Sequence, residues 1–156
     1  MRHAKIVKRV TDPDKIYNNV MVAKLINRIM EDGKKTVAER NVYNAFKELG
    51  KTGDAMQLFE KAIQNVGPKV EVKARRIGGA NFQVPTEVRH DRRMALALRW
   101  IVEAARKKSN KEFHTFSEKL AAELLAASNN EGDAIRKRDV TMKQADANKA
   151  FASYRW

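Results

Sequence analysis

The stretch Val70-Glu71-Val72-Lys73-Ala74-Arg75-Arg76-Ile77-Gly78-Gly79-Ala80-Asn81-Phe82-Gln83-Val84-Pro85 sets two β-prone runs on either side of a double glycine, and Arg89, Arg92 and Arg93 follow closely. Branched and aromatic side chains alternating with polar ones read as strands, and paired glycines between them read as a reversal, so the segment is a β-hairpin. Its register decides which side chains face the protein. A two-residue Gly78-Gly79 turn would pair Lys73 with Val84 and Val72 with Pro85, which mixes the faces. An odd loop centred on Gly79 sets Val70, Val72 and Ala74 opposite Val88, Thr86 and Val84 and collects one apolar face. The expectation is therefore a loop of three residues or a longer odd number, with a glycine at positive φ. The apolar base then packs on a body, and the cationic tip projects.

Helical periodicity surrounds the hairpin on both sides. Val22, Leu25, Ile26, Ile29 and Met30 mark an amphipathic helix from Asn19, stopped by Gly33. Thr36-Val37-Ala38-Glu39 reads as a capping box opening a second helix through Tyr43, Phe46 and Leu49. Asp54 caps a third, carrying Leu58, Phe59, Ala62 and Ile63, which Gly67-Pro68 ends. Beyond the hairpin, Asp91 caps a fourth helix with Met94, Leu98, Trp100, Ile101, Val102 and Ala105 on its inner side. Thr115-Phe116-Ser117-Glu118 is another capping box, leading to Leu120, Leu124 and Ala127, and Gly132-Asp133 opens a sixth helix through Ile135, Met142 and Ala145. The fold class is mainly α: a six-helix bundle with one protruding β-hairpin between the third and fourth helices and a flexible basic N-terminal arm. We read residues 1–156 as one domain, with the arm over 1–15, broken by Thr11-Asp12-Pro13-Asp14, and the hairpin over 69–90.

A chain of 156 residues with 43% hydrophobic content supports a real core, and its few aromatics make that core aliphatic. The net charge of +13 and isoelectric point near 10.1 repel within a compact state and point to a polyanionic partner. Without cysteine there is no disulfide or thiolate chemistry. No apolar run has signal-peptide or membrane-spanning length, so we expect a soluble, cytoplasmic protein. His3, His90 and His114 show no metal-ligand spacing, and Gly78-Gly79 lacks the Lys-Ser/Thr of a phosphate-binding nucleotide loop. Ser109, Ser117, Ser128 and Ser153 stand in no nucleophile elbow, and Ser117 suits a helix first turn. Neither enzyme activity nor a metal or other cofactor is expected.

Cations gather instead in clusters: Arg2 to Arg9, Lys34-Lys35, Lys73 to Arg76, Arg89 to Arg93, Arg106 to Lys111 and Arg136 to Arg138. The guanidinium fork matches phosphate oxygens and stacks on bases. Phe82, Tyr154 and Trp156 add stacking surfaces, and Gly78 and Gly79 allow the backbone a close approach to a sugar-phosphate chain. A helix-turn-helix reader would carry base-reading side chains along one helix, whereas these cations sit at helix ends. An architectural DNA binder would need a bulky wedge, which Ile77-Gly78-Gly79-Ala80 lacks. The residues favour RNA over DNA and leave both open.

The run from Pro68 to Pro85, with Glu71-Val72, Arg75-Arg76-Ile77-Gly78-Gly79-Ala80 and Gln83-Val84-Pro85, resembles the signature of the small-subunit ribosomal protein seven family, bacterial type. Tyr17, Ile26-Asn27, Gly33-Lys34-Lys35, Leu96-Ala97-Leu98-Arg99-Trp100, Leu120-Ala121-Ala122-Glu123-Leu124 and Ala147 to Ala152 extend the resemblance over nearly the whole chain. It implies a helical body with an extended hairpin. It also implies a primary binder of the 3′ major domain of small-subunit ribosomal RNA that nucleates head assembly, near the exit-site tRNA and the mRNA. Small-subunit ribosomal proteins nine and eleven would be neighbours. Carried onto this sequence, ribosomal RNA binding falls on Arg2, Lys5, Lys8 and Arg9 of the arm, and on Lys34, Lys35, Lys73, Arg75, Arg76, Arg92, Arg93, Arg106, Lys107 and Lys108. Proximity to tRNA and mRNA falls on Gly78, Gly79, Ala80 and Phe82 of the hairpin, and on Lys143, Tyr154, Arg155 and Trp156 near the carboxyl end. Phe82 stands where the family often has tyrosine, and the arm is less rich in arginine than is common there.

Overall fold

Among the described residues, 10–154 of the computed structural model, the order is α1 (Val20–Ile29), α2 (Lys35–Leu49), α3 (Ala55–Val66), β1 (Val70–Ile77), β2 (Ala80–Glu87), α4 (His90–Lys107), α5 (Phe116–Ser128), α6 (Asp133–Ala147) and a closing 3₁₀ helix (Lys149–Tyr154). The chain is mainly helical, with the hairpin between the third and fourth helices. Helix α5 packs on α2, α3 and α4 together. Its alanines let those neighbours come close, and even its polar Glu123 and Ser128 are fully buried. Phe46 and Phe59 fill the space beside it with ring centroids 5.2 Å apart, and both are buried. Replacing either by alanine removes about 3–5 kcal/mol. Trp100 lies in the core, as the periodicity requires.

Helix ends follow local chemistry in part. Asn19 Oδ1 accepts the Met21 N–H at 2.7 Å and Asp54 Oδ1 accepts that of Met56 at 2.9 Å. Thr115 and Glu118 form the reciprocal capping box, and Ser117 Oγ lies 3.0 Å from Thr115 Oγ. The second box is not formed. Asp32 (φ 51°) and Gly33 (φ 72°) reverse the chain early, so α2 starts at Lys35 and Thr36 falls inside its first turn. Likewise Arg89 occupies the cap position of α4, and Asp91 sits in the first turn, where its charge suits the helix N-terminus.

The hairpin register is the one the face-sorting argument rejected. Ile77 pairs with Ala80, Lys73 with Val84 and Val72 with Pro85, around a two-residue Gly78-Gly79 turn. Both glycines take positive φ, 56° and 88°, which a tight turn matched to strand twist requires and paired glycines supply without strain. That conformational fit wins because the root of β2 has no solvent face: Val84, Pro85 and Thr86 are all buried in succession. The tip does project, with no neighbouring atom within 4 Å of a Cβ built on Gly78 or Gly79. Farther in, Phe82 rests on Phe151 and Tyr154 of the 3₁₀ helix, at 5.3 and 5.4 Å between centroids.

Asp14, within the stretch read as the arm, is buried and bonded to Tyr43. Residues 1–9 and 155–156 lie outside the described residues.

Candidate nucleic-acid interface

Strand β1 carries Glu71 and Lys73 to the root of the hairpin, and the first turn of α4 brings Arg92 and Arg93 against it. Arg92 Nε lies 2.8 Å from each carboxylate oxygen of Glu71, and its Nη2 lies 2.7 Å from Oε2. Lys73 Nζ stands 3.4 Å from Oε1. Burial pushes the Glu71 carboxyl upward, but Arg92 and then Lys73 outweigh it and hold the group below its ordinary value. Arg93 turns the other way. Its Nε and Nη2 donate to the carbonyls of Gly67 at 3.0 Å and Gln64 at 3.1 Å. A Cβ on Gly67 would stand 2.7 Å from Arg93 Cγ, so the arginine passes where a side chain would otherwise be.

Farther along β1, Arg75 faces Phe82 and the exposed Arg76 faces Asn81. A second cationic group forms where α1 and α4 end and α2 begins. Arg106 Nη2 lies 2.6 Å from Glu31 and donates to the Ile29 carbonyl at 3.4 Å. Lys34, 3.5 Å from Asp32, lines the same open groove of about 390 Å³, together with Val37 and Phe116. Lys35 reaches toward Glu39 at 3.9 Å. Lys107 is exposed. Lys108 points inward to the fully buried Glu123, 2.9 Å from Oε2 as an ion pair without hydrogen-bond alignment.

Of the residues singled out in the sequence, Lys73 and Arg92 meet over Glu71 at the hairpin root, with Arg93 beside them turned to the end of α3, and Lys34 meets Arg106 at the groove. Arg92, Arg93, Arg106 and Lys108 carry structural bonds as well as charge. Lys143 is exposed on α6, and Tyr154 and Phe82 belong to one aromatic cluster. Arg2, Lys5, Lys8, Arg9, Arg155 and Trp156 lie outside the described residues. Sequence reading missed Lys24 and Arg28, exposed one turn apart on α1 beside a groove shared with Asp91 and Met94. Their i, i+4 spacing on the polar side of that helix was the available signal. Within Arg136 to Arg138, Arg138 is structural: its Nη1 donates to the Asn65 carbonyl at 2.6 Å and its Nη2 lies 2.7 Å from Asp139. Among the described residues no cluster of three or more His, Asp or Glu side chains could hold a metal ion, and no helix is long and apolar enough to cross a membrane.

Comparison with known proteins fits this cationic surface. A family model described as ribosomal protein S7p/S5e matches residues 1–149. The chain is 54% identical, over 157 aligned residues, to the small ribosomal subunit protein uS7 of Clostridium perfringens (strain 13 / Type A), covering 99% of each chain. It is 54% identical to the protein of that name from Thermosynechococcus vestitus over 99% of each chain, and 51% identical to that of Nautilia profundicola over the full length of both.

Proposed function

The chain belongs to the ribosomal protein S7p/S5e family, and from that premise we propose how it works as a structural, non-enzymatic component of the small ribosomal subunit. In a bacterium that particle is cytoplasmic. Its partner is ribosomal RNA, and the finer assignment is the 3′ major domain, which the chain binds early so that the head of the subunit can assemble. Binding is multipoint phosphate neutralisation by one domain with its basic arm and hairpin. Lys73, Arg92 and Arg93 at the hairpin root, with Arg75 and Arg76 farther along β1, form one contact region. Lys34, Lys35, Arg106 and Lys107 form a second, and the arm residues Arg2, Lys5, Lys8 and Arg9 a third. Lys108 contributes charge at the edge of the second region while serving Glu123. The tip Gly78-Gly79-Ala80, with Phe82, Lys143 and the carboxyl end through Tyr154, Arg155 and Trp156, lies toward exit-site tRNA and mRNA, and small-subunit proteins nine and eleven are neighbours.

The observation that carries this reading is the gathering of Lys73, Arg92 and Arg93 at the base of a projecting hairpin on a chain of net charge +13. If about 6–10 phosphates are neutralised, affinity for the isolated 3′ major-domain RNA falls by orders of magnitude between low and moderate salt. The test is a titration of that RNA at several salt concentrations with the wild type and with Arg75→Ala/Arg76→Ala. The double variant should bind more weakly and show a shallower salt slope. Salt-insensitive wild-type binding refutes the mechanism, and an unaffected double variant removes the hairpin from the interface.

A further inference from the structure

The carboxylate at the hairpin root is set beneath its cations. The side chain of Glu71 is 9% exposed, whereas those of Lys73 and Arg92 above it are 53% and 55% exposed. Arg92 meets it edge-on through Nε and Nη2. The remaining side of the fork, Nη1 and the second N–H of Nη2, is not engaged by Glu71 and belongs to a half-exposed residue. A long cationic side chain on a surface ordinarily samples many rotamers, and binding must order it. Here the ordering is done in advance by a partner that burial itself keeps still.

Attachment of the hairpin does not rest on this carboxylate alone. Strand β1 packs on α6 and β2 on the closing 3₁₀ helix, while Arg93 ties the first turn of α4 to the end of α3 through the Gly67 and Gln64 carbonyls. The ion pair is also poor evidence of stability, because both cations are half exposed and solvent screens their attraction to the carboxylate. On Coulomb's law alone an acid at this place should weaken the attraction of the cluster for any phosphate. An acidic group that costs attraction and is not needed for attachment is accounted for by the geometry it imposes.

We infer that Glu71 is a positioning residue of the nucleic-acid face: its carboxylate holds Lys73 and Arg92 as a two-cation platform and turns the unused side of the Arg92 fork toward one RNA phosphate. This rests on the reading above that the hairpin root binds RNA. Two effects oppose each other, and they differ in sign. Removing the negative charge raises the net charge from +13 to +14 and should tighten binding to any polyanion. Releasing Arg92 and Lys73 should weaken binding and remove about one phosphate contact from the salt slope.

The experiment titrates the full chain with the 3′ major-domain RNA across a salt series, comparing wild type, Glu71→Gln and Arg92→Lys, with melting curves for each. Glu71→Gln is expected to bind about tenfold more weakly with a salt slope smaller by about one. Binding as tight as wild type or tighter overturns the inference, and so does weaker binding with an unchanged slope, because the loss then lies elsewhere. Arg92→Lys keeps both the charge and Glu71 but has no second edge to offer, so it too should bind about tenfold more weakly. Wild-type affinity in Arg92→Lys overturns the inference, and this variant decides it alone should Glu71→Gln melt below the assay temperature. If wild-type binding itself ignores salt, the RNA reading fails first and separately.

Discussion

The hydroxyl of Tyr43 donates to Asp14 Oδ1 at 2.7 Å, joining residues 29 positions apart, while Oδ2 of the same carboxylate accepts the backbone N–H groups of Ile16 and Tyr17 at 3.1 Å. One buried acid thus shapes the turn into α1 and pins it to α2. Burial alone would raise its pKa, but the Tyr43 hydroxyl and the N–H groups of Tyr17, Ile16 and Lys15 prevail and hold it below the usual value of 3.8. Burial and the nearby carboxylate push Tyr43 from 10.0 up to about 12.

Tyr43→Phe should therefore destabilise the fold by about 1–2 kcal/mol at neutral pH. The folded Asp14 binds its proton less readily than the unfolded one, so its contribution is present above about pH 5 and is lost as pH falls through 3.8 and below. Tyr43 holds its proton more tightly when folded, so its contribution is lost as pH rises from 10.0 toward about 12. Urea melts of the two proteins at acidic, neutral and alkaline pH should show a stability gap widest near neutrality and narrowing at both extremes. A gap that does not vary with pH would contradict the pairing.

Gly132→Ala should cost about 1–3 kcal/mol, because φ of 95° with ψ of 173° is a conformation essentially confined to glycine. The new methyl would also stand 2.9 Å from Glu123 Oε1, which accepts the Ala134 N–H at 3.0 Å and so caps α6 from another helix. Differential scanning calorimetry checks this, and an unchanged melting temperature would show that the loop relaxes freely.

Tyr154→Ala should loosen the hairpin without loosening the body. The Phe82, Phe151 and Tyr154 rings contribute about 0.5–1.5 kcal/mol per pair beyond area burial, so amides of β2 should exchange about twofold to tenfold faster. Amides of α5 should exchange at the wild-type rate. Equal acceleration in both places would mean that the 3₁₀ helix supports the whole fold.

Thr115→Ala and Thr36→Ala should separate a formed capping box from one that is only spelled in the sequence. Losing the Thr115 cap should cost about 1 kcal/mol, whereas Thr36, exposed in the first turn of α2, should cost no more than a few tenths. Chemical denaturation resolves the difference.

These two threonines also show what was legible in the sequence. Apolar periodicity located the six α-helices of the described residues, even α5, which is covered nearly all round instead of along one stripe, and local caps at Asp54 and Thr115 read correctly because donor and acceptor lie within four residues. Thr36 misled because the left-handed Asp32-Gly33 pair upstream moves the helix start. The hairpin register failed for a similar reason. Alternation sorts residues only when one face meets water, and the root of β2 is covered on both sides. The candidate site was visible as cationic clusters, yet the carboxylates that arrange them were not. Glu71 finds Arg92 21 positions away, and Glu123 finds Lys108 on a different element and the Ala134 N–H 11 positions away, across elements whose packing no local pattern announces. The 3₁₀ helix, seen only as a tail, has no buried residue to mark it.

Consecutive arginines on α4 engage the chain on either side of the entry to the hairpin, Arg92 through Glu71 on β1 and Arg93 through the carbonyls of Gln64 and Gly67 at the end of α3. Strand β1 also packs on α6, and β2 on the closing 3₁₀ helix. An appendage fastened at several points has no free pivot. A load on its outer end would be shared among α4, α6 and the closing turn instead of swinging on a single hinge.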